Sequence, residues 1–514
     1  MNYKMLKKLG MGVLLVCVGL FSAMKISASS KEEKAAPVAT ANVQLKDTLV
    51  VAMKSDPKTL DPQKSIDTMS NKSINLMYDS LLELVPALAE RWERIDEYSV
   101  VFYLRKGVKF HNGDELKAED VKFTLERAVV SPQTMYLYNP ISEVTVIDDY
   151  TVKVTTKTPF GALLQNLAAI QGGIVNKKVV EAAGEDYVKN PVGTGQYKFK
   201  EWLPGNKIVF EAFNDSYHGA PKIKEITFKT VPEVSNRMIY LETGEADISF
   251  DIGLMDKEAV KNHKNLELLE VESPSILYIG FDQTVPKFQN KKLRQAIAYA
   301  IDNNVFVDAI FRGSAVAADS VMAKASPAYN PNVKKYDQNI EKAKELLKEA
   351  GYPNGIDLQL WVMDDGPRVD MCVIIQDQLK AVGINVEIKV FEFGAYVSKT
   401  ALPDKELYFL SWNSSGDGDA SLYPLFHSTQ HGASGNRSFY SNKEVDDLLD
   451  KARTSVNQDE RTEIYKKVQD ILQEELPHYT LVYPKLNLAK STKVKNMIFK
   501  KNGYVDLTKA YVEK

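Results

Sequence analysis

Pro86-Ala87-Leu88-Ala89-Glu90-Arg91-Trp92, continued by Tyr103-Leu104-Arg105-Lys106-Gly107-Val108-Lys109-Phe110-His111-Asn112-Gly113, is the stretch that decides the fold. Residue by residue it predicts a short helix, then a strand in which Val101 and Tyr103 alternate with Phe102 and Leu104. A Lys106-Gly107 turn and a second strand follow, and Asn112-Gly113 marks a further turn. Taken alone, this is a β-hairpin of an α/β protein.

The same alternation of strand and helix patterns runs through the chain. Leu49 to Met53 reads as a buried strand closed by the Asp56-Pro57 turn. Val144 to Ile147 and Thr151 to Val154 flank Asp148-Asp149-Tyr150 as a hairpin. Ile226 to Val231 is another strand. Ala343, Leu346, Leu347 and Ala350 share one helix face, with Gly351 as cap and Pro353 as stop. Ser441-Asn442-Lys443-Glu444 reads as a capping box ahead of Val445, Leu448, Leu449 and Ala452. Ile464, Val468, Ile471 and Leu472 form a third stripe. These stripes are core faces.

A chain of 514 residues is too long for one hydrophobic core, and about three structural units are expected. Lys4, Lys7 and Lys8 precede an apolar run from Met11 to Phe21, followed by Ile26-Ser27-Ala28, the pattern of a cleaved secretory signal over 1–28. The apolar run is too short to span a bilayer comfortably, although an uncleaved anchor is the alternative. Cys17 lacks the usual small residue before a lipidated cysteine, so an exported, unanchored protein is expected and lipid anchoring at Cys17 is a further alternative. Residues 29–46 read as a flexible leash. Removing the four leader lysines from a formal net charge of −3 leaves about −7. That balance argues against nucleic acid, which requires clustered Lys and Arg. Without Cys17, Cys372 is the one remaining thiol, so no internal disulfide is available.

Gly-x-Ser-x-Gly, His-Glu-x-x-His, Walker and Gly-x-Gly-x-x-Gly motifs are all missing from the sequence, which argues against an enzyme. His427 and His431 have helix-chelate spacing, but their neighbours read as loop. Asp417 and Asp419 have calcium-loop spacing, yet the position that needs Glu holds Ser428. No metal and no cofactor are expected.

The opening stretch resembles the signature of family 5 of the extracytoplasmic solute-binding proteins of ABC importers, the dipeptide, oligopeptide and nickel type. Leu60-Asp61-Pro62, Pro191-Val192-Gly193-Thr194-Gly195-Gln196-Tyr197-Lys198-Phe199, Gly244-Glu245-Ala246-Asp247-Ile248 and Leu293-Arg294-Gln295-Ala296-Ile297 with Ala300-Ile301-Asp302 resemble further family elements in the same order. Two departures stand out. Gln196 replaces the usual proline, and Leu84-Val85-Pro86 directly joins elements that the family separates by a short hairpin.

The resemblance implies an α/β, two-lobed periplasmic-binding-protein fold (type II, cluster C-like) with an inserted subdomain. The first lobe would take 47–79, 190–272 and 489–514, the insert 80–189 and the second lobe 273–488. The implied function is capture of a dipeptide, tripeptide or glutathione by hinge closure and delivery to the permease subunits of an ABC transporter, by a monomer. A nickel chelate, haem or an oligosaccharide is the alternative solute in the same fold. Sugar binders line their clefts with stacked aromatics, and Trp412 alone is evident here.

The implied site residues follow. Trp412, after the strand Leu407 to Leu410, offers a flat apolar wall. Dipeptide binders place an ammonium-accepting Asp three residues beyond it, where this chain has Ser415. Asp417 and Asp419 are the substitutes, and the form of this loop resembles glutathione-type members. Arg368, in the polar turn Asp364 to Arg368, is the expected partner of a ligand carboxylate, with Arg437 as second choice. Thr68, Met69 and Ser70 match the family's ligand-touching loop in the other lobe.

Overall fold

The structure, a computed structural model, describes residues 44–82, 87–413 and 417–514. Its spine is a twelve-stranded mixed sheet. At one end Ile384–Phe391, Ile356–Met363 and Leu407–Asn413 run parallel. Ser275–Phe281 and His478–Ser491 follow in antiparallel pairing. Ile248–Phe250, Thr48–Met53 and Glu225–Thr230 form a second parallel set, and Lys207–Ala212 and Tyr197–Leu203 complete that edge.

One strand joins the two parallel sets. The first half of His478–Ser491 pairs with Ser275–Phe281, and its second half pairs with Leu266–Glu272 and Ile248–Phe250. Ser273 and Pro274 alone separate Leu266–Glu272 from Ser275–Phe281. The Ser273 hydroxyl donates to the Pro484 carbonyl at 2.9 Å. Pro274 and Pro484 carry no backbone N–H, and at the crossing Val482, Tyr483 and Pro484 pair with Ala317, Val316 and Ala315. Two strands thus connect the two bodies.

Buried apolar side chains divide on either side of that crossing. Ile279, Phe281, Leu360, Ile375 and Phe409 belong to one core, and Tyr278, Leu422, Leu449 and Val468 fill the opposite face of the same strands. Leu49, Val51, Ile226, Ile248 and Leu488 form the core of the other body. A further core, with Phe102, Leu125, Val152 and Leu167, lies under the four-stranded antiparallel sheet of Ala89–Arg94, Ser99–Leu104, Thr151–Thr156 and Ile141–Asp148. Val175, Val180 and Tyr187, within the expected insert, pack into the core of Leu49 and Ile226 instead.

The opening stretch folds differently from its local reading. Ala89–Arg94 is a strand, not a helix, because it pairs with Ser99–Leu104. Arg91 lies 3.3 Å above the Tyr103 ring. Glu, Arg and Trp tolerate either state, and cross-strand contact decides. Beyond the Lys106-Gly107 turn, where Gly107 has φ +74°, the expected second strand reduces to one bridge, Lys109 to Glu115. The helix Lys443–Thr454 is capped by Asn442, whose side chain accepts from the Glu444 and Val445 amides, and not by Ser441.

Candidate functional site at the carboxyl ends of two parallel strand sets

Strand direction locates the cleft. Asn413 pairs with Ser275, so the carboxyl end of Leu407–Asn413 lies at the crossing. Ile356–Met363 and Ile384–Phe391 run the same way. On the other side, Phe250 pairs with Leu488 and Ile248 with Lys490, so Ile248–Phe250 also ends towards the crossing. Thr48–Met53 and Glu225–Thr230 are parallel to it. Both bodies therefore turn the carboxyl ends of parallel strands towards their common boundary, the place where open α/β sheets bind ligands. Exposed apolar side chains mark both rims: Ile66 and Met255 on one body, Phe393 on the other.

Arg368 sits in the first turn of the helix Gly366–Lys380, directly after Ile356–Met363. Its guanidinium donates to the Ser411 hydroxyl at 3.1 Å and to the Met363 sulfur at 3.2 Å, and lies 3.5 Å from the Asp365 carboxylate. A guanidinium has five N–H donors, and these partners are weak or distant enough to leave it competent for a carboxylate. Trp412, half-buried, is held by an indole N–H bond to the Ala420 carbonyl at 2.9 Å. Ser411 and Trp412 are consecutive on one strand, so their side chains leave opposite faces of the sheet. The sheet end thus presents Arg368 on one side and the indole on the other.

Arg437 is differently placed. It donates to the Val397 carbonyl at 2.9 Å and to the Thr400 hydroxyl, closing the last turn of the helix Phe393–Thr400. Ser415 lies outside the described residues.

Asp417 and Asp419 are both buried in ion pairs. The Asp417 side chain caps the helix Gly418–Phe426 through the Asp419 amide at 2.7 Å and meets the Arg461 guanidinium at 2.9 Å. Gln165, its amide oriented by its hydrogen bonds, donates to the second Asp417 oxygen at 3.1 Å. Asp419 stands 3.3 Å from Arg453, and burial pushes its carboxyl up to about 6 despite that arginine.

On the other body, Thr68 is exposed at the first position of the helix Thr68–Met77, capped by Asp67. Met69 packs in the core beside Leu60 and Ile74. Ser70 is buried and accepts the Lys58 and Thr59 amides while donating to Asp67. Of these three, Thr68 alone presents its side chain to the solvent.

His427 and His431, the metal candidates, are engaged with protein. His427 Nδ1 bonds Thr429 and its Nε2 lies 3.3 Å from Asp450; His431 bonds the Tyr440 carbonyl. A cavity of about 720 Å³ lies elsewhere, lined by Asn75, Asp79, Tyr197, His218 and Asp506, at the opposite end of the helix from Thr68.

Besides the Gln165 bond to Asp417, Gly161 makes two contacts across the boundary. The Gly161 amide donates to the Arg453 carbonyl at 2.9 Å, and its carbonyl accepts from Arg461 at 3.1 Å. A Cβ at Gly161 would stand 2.1 Å from the Ser455 carbonyl oxygen and 2.6 Å from Arg461 Cδ, so the approach needs glycine. Sequence reading missed Gly161, Arg453 and Arg461, because no local motif marks residues that meet only in the folded chain.

Comparison with known proteins agrees with this geometry. Residues 83–433 match the family described as bacterial extracellular solute-binding proteins, family 5. The chain belongs to that family. It is 34% identical over 464 residues to the glutathione-binding protein GsiB of Escherichia coli K12, covering 86% of this chain and 90% of that protein. The structure of HbpA2 from Haemophilus parasuis superposes with a TM-score of 0.83 at 28% identity, over 91% of this chain and all of that one. The periplasmic binding protein DppA from Helicobacter pylori, in complex with the peptide STSA, gives 0.76 at 29% identity, over 91% and 98%. This family-5 protein accordingly has the two-lobed α/β fold of type II periplasmic binding proteins, and its family works outside the cytoplasm in solute binding, not catalysis. Among the described residues no helix is long and apolar enough to cross a membrane.

Proposed function

We propose that this protein captures a short peptide, glutathione or a di- or tripeptide, between its two bodies and releases it to the permease of an ABC importer. The observation that carries the reading is the convergence of two sets of strand ends on one boundary, with Arg368 and Trp412 at the rim. Arg368 takes the ligand's terminal carboxylate through charge-assisted hydrogen bonds, and Trp412 provides an apolar wall on the other side of the sheet end. Arg437 is set aside for this role because its guanidinium already holds the end of a helix. Thr68 faces the ligand from the other body. Asp417 and Asp419 shape the loop through Arg461 and Arg453 and touch the ligand only indirectly.

Capture proceeds by rotation about the crossing at Ser273-Pro274 and Tyr483-Pro484. Closing excludes water from the cleft, which strengthens each polar contact within it. The Gly161 contact to Arg453 and Arg461 completes the closed form. The relatives' ligands, glutathione for GsiB and a peptide for DppA, support the solute class.

The test is calorimetric titration with glutathione, di- and tripeptides, a nickel–histidine chelate, haem and an oligosaccharide. Saturable binding of a peptide, with a rise in melting temperature, is expected. At a hundredfold excess over Kd the ligand adds about 2.7 kcal/mol. Binding of a non-peptide solute alone overturns the reading.

A further inference from the structure

The helix Thr68–Met77 sends one lysine to the carboxyl ends of the first parallel strand set. Lys72 is 6% exposed, and its ammonium lies 3.5 Å above the centre of the Phe250 ring, at the last residue of Ile248–Phe250. Among the described residues Nζ makes no hydrogen bond and no ion pair. The charges acting on it are Asp251, which favours it, and Lys54 and Arg237, which oppose it. Lys54 follows the strand Thr48–Met53, and Asp251 follows Phe250. Arg237 donates to the carbonyls of Val231, Pro232 and Asp251. All four groups therefore gather where these strands end, facing the second body.

The cluster is short of acceptors. Three cations, Lys72, Lys54 and Arg237, stand against two carboxylates, Asp251 and Glu233. Arg237 Nε is a buried donor without a partner. A buried ammonium without a hydrogen bond or ion pair is costly, and burial draws Lys72 down to about 8 despite Asp251. Unpaired polar groups of this kind at the ends of parallel strands mark a site that is completed by something else.

We infer that Lys72 is an anion subsite in the first body, which receives a second carboxylate of the ligand while Arg368 holds the first. This rests on the peptide-binding reading and narrows it to ligands carrying two carboxylates. Glutathione meets that requirement, as does a dipeptide ending in glutamate.

The experiment titrates the purified protein and its Lys72→Met variant with two matched ligand pairs. Glutathione is compared with γ-aminobutyryl-cysteinyl-glycine, which lacks the α-carboxylate of the glutamyl residue. Ala-Glu is compared with Ala-Gln. The wild type is expected to favour the dicarboxylate of at least one pair by roughly 10- to 100-fold, the worth of one charge-assisted contact. Lys72→Met is expected to lose that preference while keeping its affinity for the monocarboxylate. A merely structural lysine would instead lower the melting temperature when replaced and leave the preference intact. A wild type without preference, or a variant that keeps it, overturns the inference and leaves peptide binding standing. A wild type that binds no peptide removes the reading beneath it.

Discussion

Arg461 donates to the Asp417 carboxylate at 2.9 Å and to the Gly161 carbonyl at 3.1 Å, so one guanidinium holds the cap of the helix Gly418–Phe426 and reaches the other body. The same side chain also holds the Ala452 carbonyl and the Tyr465 hydroxyl. The start of the helix Gly418–Phe426 is thus held by the side chain that also reaches Gly161.

Removing one partner of this buried pair leaves an uncompensated charge. Arg461→Ala is expected to destabilise the fold by about 3–5 kcal/mol, read as a lower urea midpoint. An unchanged midpoint would mean that the pair is solvated.

Gly161→Val tests closure alone. Its side chain would collide with the Ser455 carbonyl, so the bodies cannot meet. Peptide affinity is expected to fall roughly 10-fold or more, because the closed state becomes less populated. Scattering at saturating ligand should show a larger radius than wild type. Equal radii and equal affinity would show that this contact plays no part in closure.

Lys72 yields a prediction with a sign. Its folded-state value, about 8, lies below the 10.5 of an exposed lysine. Below pH 8 it is charged in both states, and burying the charge costs about 3 kcal/mol. Between pH 8 and 10.5 the unfolded chain binds more protons, so stability rises with pH. Lys72→Met should therefore melt about 2–3 °C above wild type at pH 7 without ligand, and the gap should shrink towards pH 10.5. A variant less stable than wild type at pH 7 would contradict this.

Much of the fold was legible because it follows local patterning. Thr48–Met53, Glu225–Thr230 and the hairpin of Ile141–Asp148 and Thr151–Thr156 lie where alternation and turn residues put them. Ile340–Glu349 ends at Ala350 and Gly351, the latter at φ +97°, as its cap signal requires. Ala89–Arg94 was misread because its strand state comes from its partner, not its own sequence. The family resemblance pointed to Trp412 and Arg368, and both stand at strand ends facing the boundary. Asp417, Met69 and Ser70 show the limit of such transfer: burial and pairing are settled by residues 40 or more positions away, as with Arg461, or by packing behind the loop. Lys72 gave no signal in sequence, since a lysine in an amphipathic helix ordinarily points to water.

The most direct measurement is calorimetric titration of wild type and Arg368→Ala with one bound peptide and its C-terminal amide. Wild type is expected to bind the free acid about 10- to 100-fold more tightly than the amide. Arg368→Ala is expected to bind both with the weaker affinity, at an unchanged melting temperature. Equal affinity of wild type for acid and amide, or an acid preference that survives in Arg368→Ala, would contradict carboxylate binding by Arg368.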